Sequence, residues 1–442
     1  MDGQPTADVI EQVKDIPIYR DSVARGHFPV LEKPEIARGF PDNWMTPRLE
    51  AALAAGAAEY VLSTGTNHAR MQLIRPPYFL LRSYYRLWSE HPDIAHTWRD
   101  GCRRASLTTV LATEHVARVN ARKRGGGRDG NSGDSSSSSS SSSGDASAPG
   151  AEPSLEERRL DERTVYLNLR LDPALWERAD VQRMLGELRA IAASHPEGRY
   201  HLDCSGYHLA HLVRHAEDAG LWENPESFPR PASIITAYEY TPRNVRHFLE
   251  SRFDCPVVDL FGSTELGYLF YSDRTGSYRP YLEGMSVELL PVAPGSTLYS
   301  LIVTSVRNPH MPLVRYRSGD CARTRDGSPD PEKIVSFCGR EKELLDGPDG
   351  PVAAGDLDER VATAAPRVFV HQLLLPEAET EGRGSQSAVL RCTTFDGKPL
   401  GTEESEALGR SVSALTGRAC RVEHRDHIPI GASGKYAWLA RS

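Results

Sequence analysis

SIITAYEYTPRNVRHFLESRFDCPVVDLFGSTE, Ser233 to Glu265, is the stretch on which the fold turns. Ser233 to Ala237 and Val257 to Phe261 are short, nearly continuous apolar runs, the pattern of buried strands. Between them VRHFLESRF, Val245 to Phe253, carries apolar residues at helical spacing. Strand, helix and strand at this spacing predict a β-α-β unit with parallel strands, and such sheets take ligands in a crevice at the carboxyl ends of their strands. Chemistry is therefore expected just after the second strand, at Gly262-Ser263-Thr264-Glu265.

Outward from that unit the α/β pattern continues. Helical periodicity recurs over Val181–Ser194 and Tyr207–Ala219, and Leu298 to Val306 reads as another buried strand. Beyond Leu345 the pattern changes to Gly- and Asp-rich turns, strands at Val368–Leu375 and Ser387–Thr393, a helix over Glu403–Leu415 and a strand near Cys420–Glu423. This predicts a small α+β domain, 342–442, after a larger N-terminal domain, 1–341. Arg122 to Arg124, then GGGRDGNSGD, nine serines and GDASAPGAEP, offer nothing to bury, so about 121–157 is expected to be a disordered insertion. Its Gly125-x-Gly127-x-x-Gly130 formally matches a dinucleotide fingerprint, but no strand precedes it and no helix follows.

Composition narrows the function. Of 442 residues 39% are hydrophobic and 25% charged, and the net charge of −8 argues against a nucleic-acid or anionic-membrane binder, which needs a basic footprint. The acidic N-terminus and the lack of a long apolar run point to a cytoplasmic protein. Seven scattered cysteines without C-x-x-C indicate neither a disulfide framework nor a zinc knuckle. His201, Cys204, His208 and His211 admit a metal-cluster reading, yet the three histidines 208, 211 and 215 suit a solvated helix stripe equally well.

Five short motifs follow one another along the chain. Ser63-Thr64-Gly65-Thr66 offers hydroxyls and backbone N–H groups to phosphate oxygens, although such a tetrapeptide alone is more often a surface turn. Phe261-Gly262-Ser263-Thr264-Glu265 brings an aromatic face, a close-approach glycine, a hydroxyl and a carboxylate suited to magnesium. Arg315-Tyr316-Arg317-Ser318-Gly319-Asp320 places an aspartate where it can accept both hydroxyls of a ribose, and Gly339-Arg340-Glu341-Lys342-Glu343 falls at the expected domain junction. Gly434-Lys435-Tyr436 ends an extended loop that presents one lysine.

In this order the set resembles the adenylate-forming superfamily of acyl-CoA synthetases, adenylation domains and luciferases. HLDCSGYHLAHLVRHAEDAG, 201–220, and ASIITAYEYTPRNVRHFLE, 232–250, look most like its phenylacetate-CoA ligase branch. The resemblance is dense from about Tyr200 to Leu345, returns at the end of the chain and is thin before Thr164. It implies a large ATP- and acid-binding domain of mixed sheets and helices with a small mobile C-terminal domain. The implied activity is ATP- and magnesium-dependent conversion of an aryl or acyl carboxylic acid to an acyl-adenylate, then transfer to CoA, a carrier-protein thiol or an amine; the alternative is a degenerate adenylate binder without turnover.

Carried over by position, the resemblance puts Thr264 on the α-phosphate, Glu265 on magnesium, and Gly262 and Ser263 beside the nucleotide. Tyr238 and Glu239 border adenine and Phe261 flanks it, while Asp320 takes the ribose hydroxyls with Arg340 assisting. Ser63, Thr64, Gly65 and Thr66 grip the outer phosphates. Here the loop departs from the family, with His68 in place of the second glycine and Arg70 available to restore positive charge. Tyr207 and Gly267 line the acid pocket, Lys435 bridges carboxylate and α-phosphate, and Lys342 is the hinge.

Overall fold

The computed structural model describes residues 4–62, 71–125, 152–273, 276–376 and 387–441. Its centre is a seven-stranded sheet ordered Thr164–Tyr166, Arg103–Leu107, Tyr200–Cys204, Ser233–Thr236, Val257–Ser263, Gly267–Ser272 and Tyr278–Pro280. The first five strands are parallel and the last two antiparallel. Ile234 pairs in register with Val257 and Thr236 with Asp259 across the expected β-α-β unit, whose helix spans Arg243–Arg252. The first strand is buried throughout and the second at Val257, Val258 and Leu260, because helices cover both faces, which is why their sequence lacks polar alternation.

On one face the helices Arg178–Ala193, Gly206–Asp218 and Arg243–Arg252 build an apolar core with Leu107, Leu202, Cys204 and Ile234. On the other, the helix Phe79–Glu90 lays Tyr84, Leu87 and Trp88 against Ile235 and Leu260. A second core joins the N-terminal helices, through Val13, Ile36 and Trp44, to an antiparallel sheet ordered Met285–Pro291, Leu298–Ser305, Leu313–Thr324 and Ile334–Arg340. The carboxyl-terminal part has its own core, formed by Leu357, Val361, Leu373, Leu390, Leu408 and Val412. Its sheet runs Cys420–His424, Ala388–Thr394, Val368–Leu375 and Leu439–Arg441, with the helix Thr402–Thr416 packed on it.

The elements read from periodicity, at 181–194, 207–219, 233–237, 245–253, 257–261 and 298–306 and in the carboxyl-terminal part, lie within a few residues of those observed, but the ends of the insertion do not. Residues 121–125 close the helix Val110–Gly125 and 152–157 are also described, so both edges of the expected span 121–157 lie in placed chain. The reason is local: Asn120 Nδ2 donates to the carbonyls of Glu157 at 2.9 Å and Arg159 at 2.6 Å, stitching the two ends together. The Gly125–Gly130 fingerprint and the serine run lie, apart from Gly125, outside the described residues. All seven cysteines are free thiols, five of them buried. Among the described residues no helix is long and apolar enough to cross a membrane, and no His, Cys, Asp or Glu cluster is arranged to hold a metal.

Candidate active site

The loop 428–436 carries Lys435 onto the carboxyl ends of the central strands. Gly434 lets it approach: its backbone is left-handed, with φ of 71°, and a Cβ there would stand 2.8 Å from that of Thr109. Lys435 Nζ donates to the carbonyl of Tyr238, and the Tyr436 N–H donates to Glu239 Oε2 at 3.3 Å. Tyr238 presents that carbonyl through a left-handed backbone, φ 77°, which a residue with a Cβ adopts only where its surroundings hold it. Glu239 also accepts from the Ser205 hydroxyl, and burial pushes its carboxyl up.

Burial drives the Lys435 ammonium down, with Arg340 adding to that effect while Glu239 and Asp320 oppose it. Asp320 and Arg340 are register partners on adjacent antiparallel strands and meet at 3.1 Å. Burial pushes the Asp320 carboxyl up; Arg340 resists the shift. Glu265 Oε1 accepts from Tyr316 Oη at 2.9 Å and lies 3.6 Å from Lys33 Nζ. The field of Glu265 reaches both Asp320 and Arg340, and theirs reaches Lys435, so these groups share one site. The close hairpin that holds Glu265 needs a glycine at 262, where a Cβ would fall 2.4 Å from the carbonyl oxygen of Gly267.

Two expected contacts differ. The Tyr238 phenol turns inward to Asp203 Oδ2 at 2.7 Å, so its contribution at the crevice is its backbone, a consequence of the left-handed conformation. Phe261 is stacked on Phe337, centroids 3.7 Å apart and planes within 3°, because the strand Ile334–Arg340 passes beside it; one ring face is thereby taken. The residues expected to line one acid pocket face different neighbours. Tyr207 packs on Phe369 and Tyr436, whereas the space above Gly267 is bounded by Ser83 and Phe79.

The histidines do not gather round a metal. His201 is held by Thr97 Oγ1 at 2.8 Å and Ser233 Oγ at 2.6 Å, while His211 meets Tyr436 Oη at 3.0 Å. Both His208 and His211 are buried, so they are not the expected solvated stripe. Lys342 is exposed within a single 3₁₀ turn, Glu341–Glu343. Ser63, Thr64, Gly65, Thr66, His68 and Arg70 lie outside the described residues. Lys33 joins the site unannounced by any motif, since it opens a five-residue helix, Lys33–Ala37, remote in sequence.

A magnesium nucleotide fits the donors present. Glu265 Oε2 has no hydrogen-bond partner among the described residues, and Asp320 is a buried carboxylate with a single paired cation. Such a set has room for hydroxyls and a divalent ion.

The fold is that of the adenylate-forming CoA ligases. The chain aligns with 2-hydroxyisobutyryl-CoA ligase in the postadenylation state with 2-HIB-AMP at TM-score 0.62, 11% identity, over 98% of this chain and 87% of that one. With the open conformation of the same ligase the TM-score is 0.50, at 12% identity over 98% and 89%. It also aligns with MatB from Rhodopseudomonas palustris bound to ATP, at TM-score 0.52 and 12% identity over 85% of this chain and 65% of that one. No protein-family model and no curated protein matches the chain.

Proposed function

We propose that this chain joins a carboxylic acid to AMP and passes the acyl group on, to CoA, a carrier-protein thiol or an amine. The observation that carries the reading is Lys435, delivered by its own loop to the Tyr238 carbonyl beside the Asp320–Arg340 pair. An oxygen of the acid's carboxylate attacks the α-phosphorus of ATP, the new P–O bond forms as the bond to the bridging oxygen breaks, and pyrophosphate leaves. That step brings anions together, so cations must stand ready where the negative charge develops.

Each group has a part that its position suits. Lys435 neutralises charge between carboxylate and α-phosphate, with Thr264 as an added donor. Asp320 holds the ribose and Arg340 keeps Asp320 in place; this is positioning. Glu265 holds magnesium, which when bound neutralises phosphate charge. Gly262, Ser263, Glu239 and one face of Phe261 border the nucleotide, and the loop 63–70 takes the outer phosphates. The chain divides at 341/342, with Lys342 as hinge, and sequence resemblance favours the phenylacetate-CoA ligase-like subtype.

The test is acid-dependent exchange of labelled pyrophosphate into ATP across aryl, fatty and amino acids. The expected products with an acceptor are AMP and pyrophosphate. Release of ADP and phosphate with every accepted acid would sink the reading, and AMP binding without exchange for any acid would leave only a nucleotide-binding protein.

A further inference from the structure

Tyr238 points two ways: its carbonyl holds Lys435, and its phenol enters a buried polar cluster on the sheet face covered by the helix Phe79–Glu90. Strand alternation places Arg104 and Ser106 on that face from one strand, and His201 and Asp203 from the next. Asp203 is fully buried and its two oxygens are already engaged. Oδ1 accepts from Tyr84 Oη at 2.8 Å, and Oδ2 from Tyr238 Oη at 2.7 Å and Ser106 Oγ at 3.3 Å.

Arg104 is the group left over. Only 2% exposed, it lies 4.3 Å over the Trp88 ring and 5.1 Å over that of Tyr84. Its Nη1 stands 3.9 Å from Asp203 Oδ2, beyond hydrogen-bond reach, and among the described residues neither Nη1 nor Nε has a hydrogen-bond partner. Buried N–H donors without partners destabilise the folded chain, so their retention calls for a ligand that pairs them. Tyr268 ties the cluster to the reaction's side, since its ring meets Tyr84 at 4.1 Å and its N–H donates to Ser83 Oγ at 3.2 Å next to Gly267.

We propose that this cluster recognises the far end of the activated acid, and that the acid is compact with a neutral oxygen acceptor, a hydroxyl or carbonyl, remote from its carboxylate. Asp203 already accepts from three hydroxyls, whereas Arg104 Nη1 and Nε are left without acceptors among the described residues, which selects an acceptor on the ligand. Asp203 already balances the Arg104 charge, which disfavours a second carboxylate. Trp88 and Tyr84 pack on the guanidinium and on each other, and Tyr268 packs on Tyr84, so a long chain would have to part these rings and a compact acid would not. This inference rests on the adenylation reading.

The test measures pyrophosphate release with matched acids: levulinate against pentanoate, 3-hydroxybutyrate against butyrate, with succinate and octanoate alongside. The oxygenated member of each pair should lead in kcat/KM by about 10⁴, the scale on which a site with hydrogen-bonding groups rejects an analogue that leaves them unpaired. Arg104→Met should erase that ratio with the KM for ATP unmoved. Because it strands Asp203, the double variant Arg104→Met/Asp203→Asn is measured beside it and should give the same loss. Equal use of pentanoate and levulinate, a preference for succinate or octanoate, or a ratio that survives both variants overturns the substrate class while adenylation stands. Failure of every acid to release pyrophosphate would remove the adenylation reading, and this inference with it.

Discussion

The proposed adenylation step asks Lys435 to be a cation in surroundings that favour its neutral form. Burial lowers its affinity for the proton, and the carboxylates of Glu239 and Asp320 offset part of that effect. A lowered pKa means the charged form is lost at a lower pH than for an exposed lysine, so pyrophosphate exchange should fall early on the alkaline side. Lys435→Ala should reduce the adenylating half-reaction by roughly 10² to 10³, the scale of one preorganised charge contact, and leave transfer from ready-made acyl-adenylate in place. Exchange kinetics and single-turnover transfer, measured on one preparation, check both halves; equal loss in both would mean that the lysine holds structure instead. This residue was legible in the sequence because the Gly-Lys pair stands in a recognisable order behind the other motifs. Lys33 and Arg104 were not, since nothing local to KPEIA or RRASL says that a charge will be buried or brought to a distant carboxylate.

Whole elements were more legible than their contents. The run Ser233–Ala237 had to be a strand because a continuous apolar run flanked by turns is what a doubly covered sheet requires. The neighbouring strand Tyr200–Cys204, with a histidine and an aspartate, carries no such signal, yet all five of its residues are buried. That burial has a consequence for pH. Burial pushes His201 down to about 3, with Arg104 adding to the shift, and His208 down to about 4. Each is a base whose folded pKa lies below its unfolded value near 6.5, so between those values the unfolded chain binds the extra proton. Stability is complete above about pH 6.5 and falls as the pH drops towards the folded values. At pH 5 the loss from His201 is about 2 kcal/mol. Urea midpoints should therefore drop between pH 7 and pH 5, and His201→Gln should flatten that slope. A slope unchanged by the substitution would show that the proton is taken up elsewhere.

For the whole molecule, the proposed two half-reactions require Lys435 to leave the site and return, about a hinge proposed at Lys342. The 3₁₀ turn Glu341–Glu343 is held at its two ends to different parts of the chain. Glu341 takes Arg317 Nη1 at 3.2 Å and the Ser300 hydroxyl, both on the four-stranded sheet. Glu343 accepts from Trp438 Nε1 at 2.9 Å, beside the last strand of the carboxyl-terminal sheet. Lys342 between them is exposed and has no hydrogen bond or ion pair among the described residues, so a torsion change there breaks few contacts of its own. A 3₁₀ turn has φ near −60°, which is also the angle that proline fixes. Lys342→Pro should accordingly keep the present arrangement, in which Lys435 lies in the site, and forbid the other. Adenylation should then persist while transfer to the acceptor stops, because a hinge residue acts through the torsion it permits and not through substrate. Pyrophosphate exchange near that of the unaltered chain, together with accumulation of enzyme-bound acyl-adenylate, is the expected result. Transfer at the normal rate in the proline variant would place the moving joint elsewhere, or show that both half-reactions run in a single arrangement.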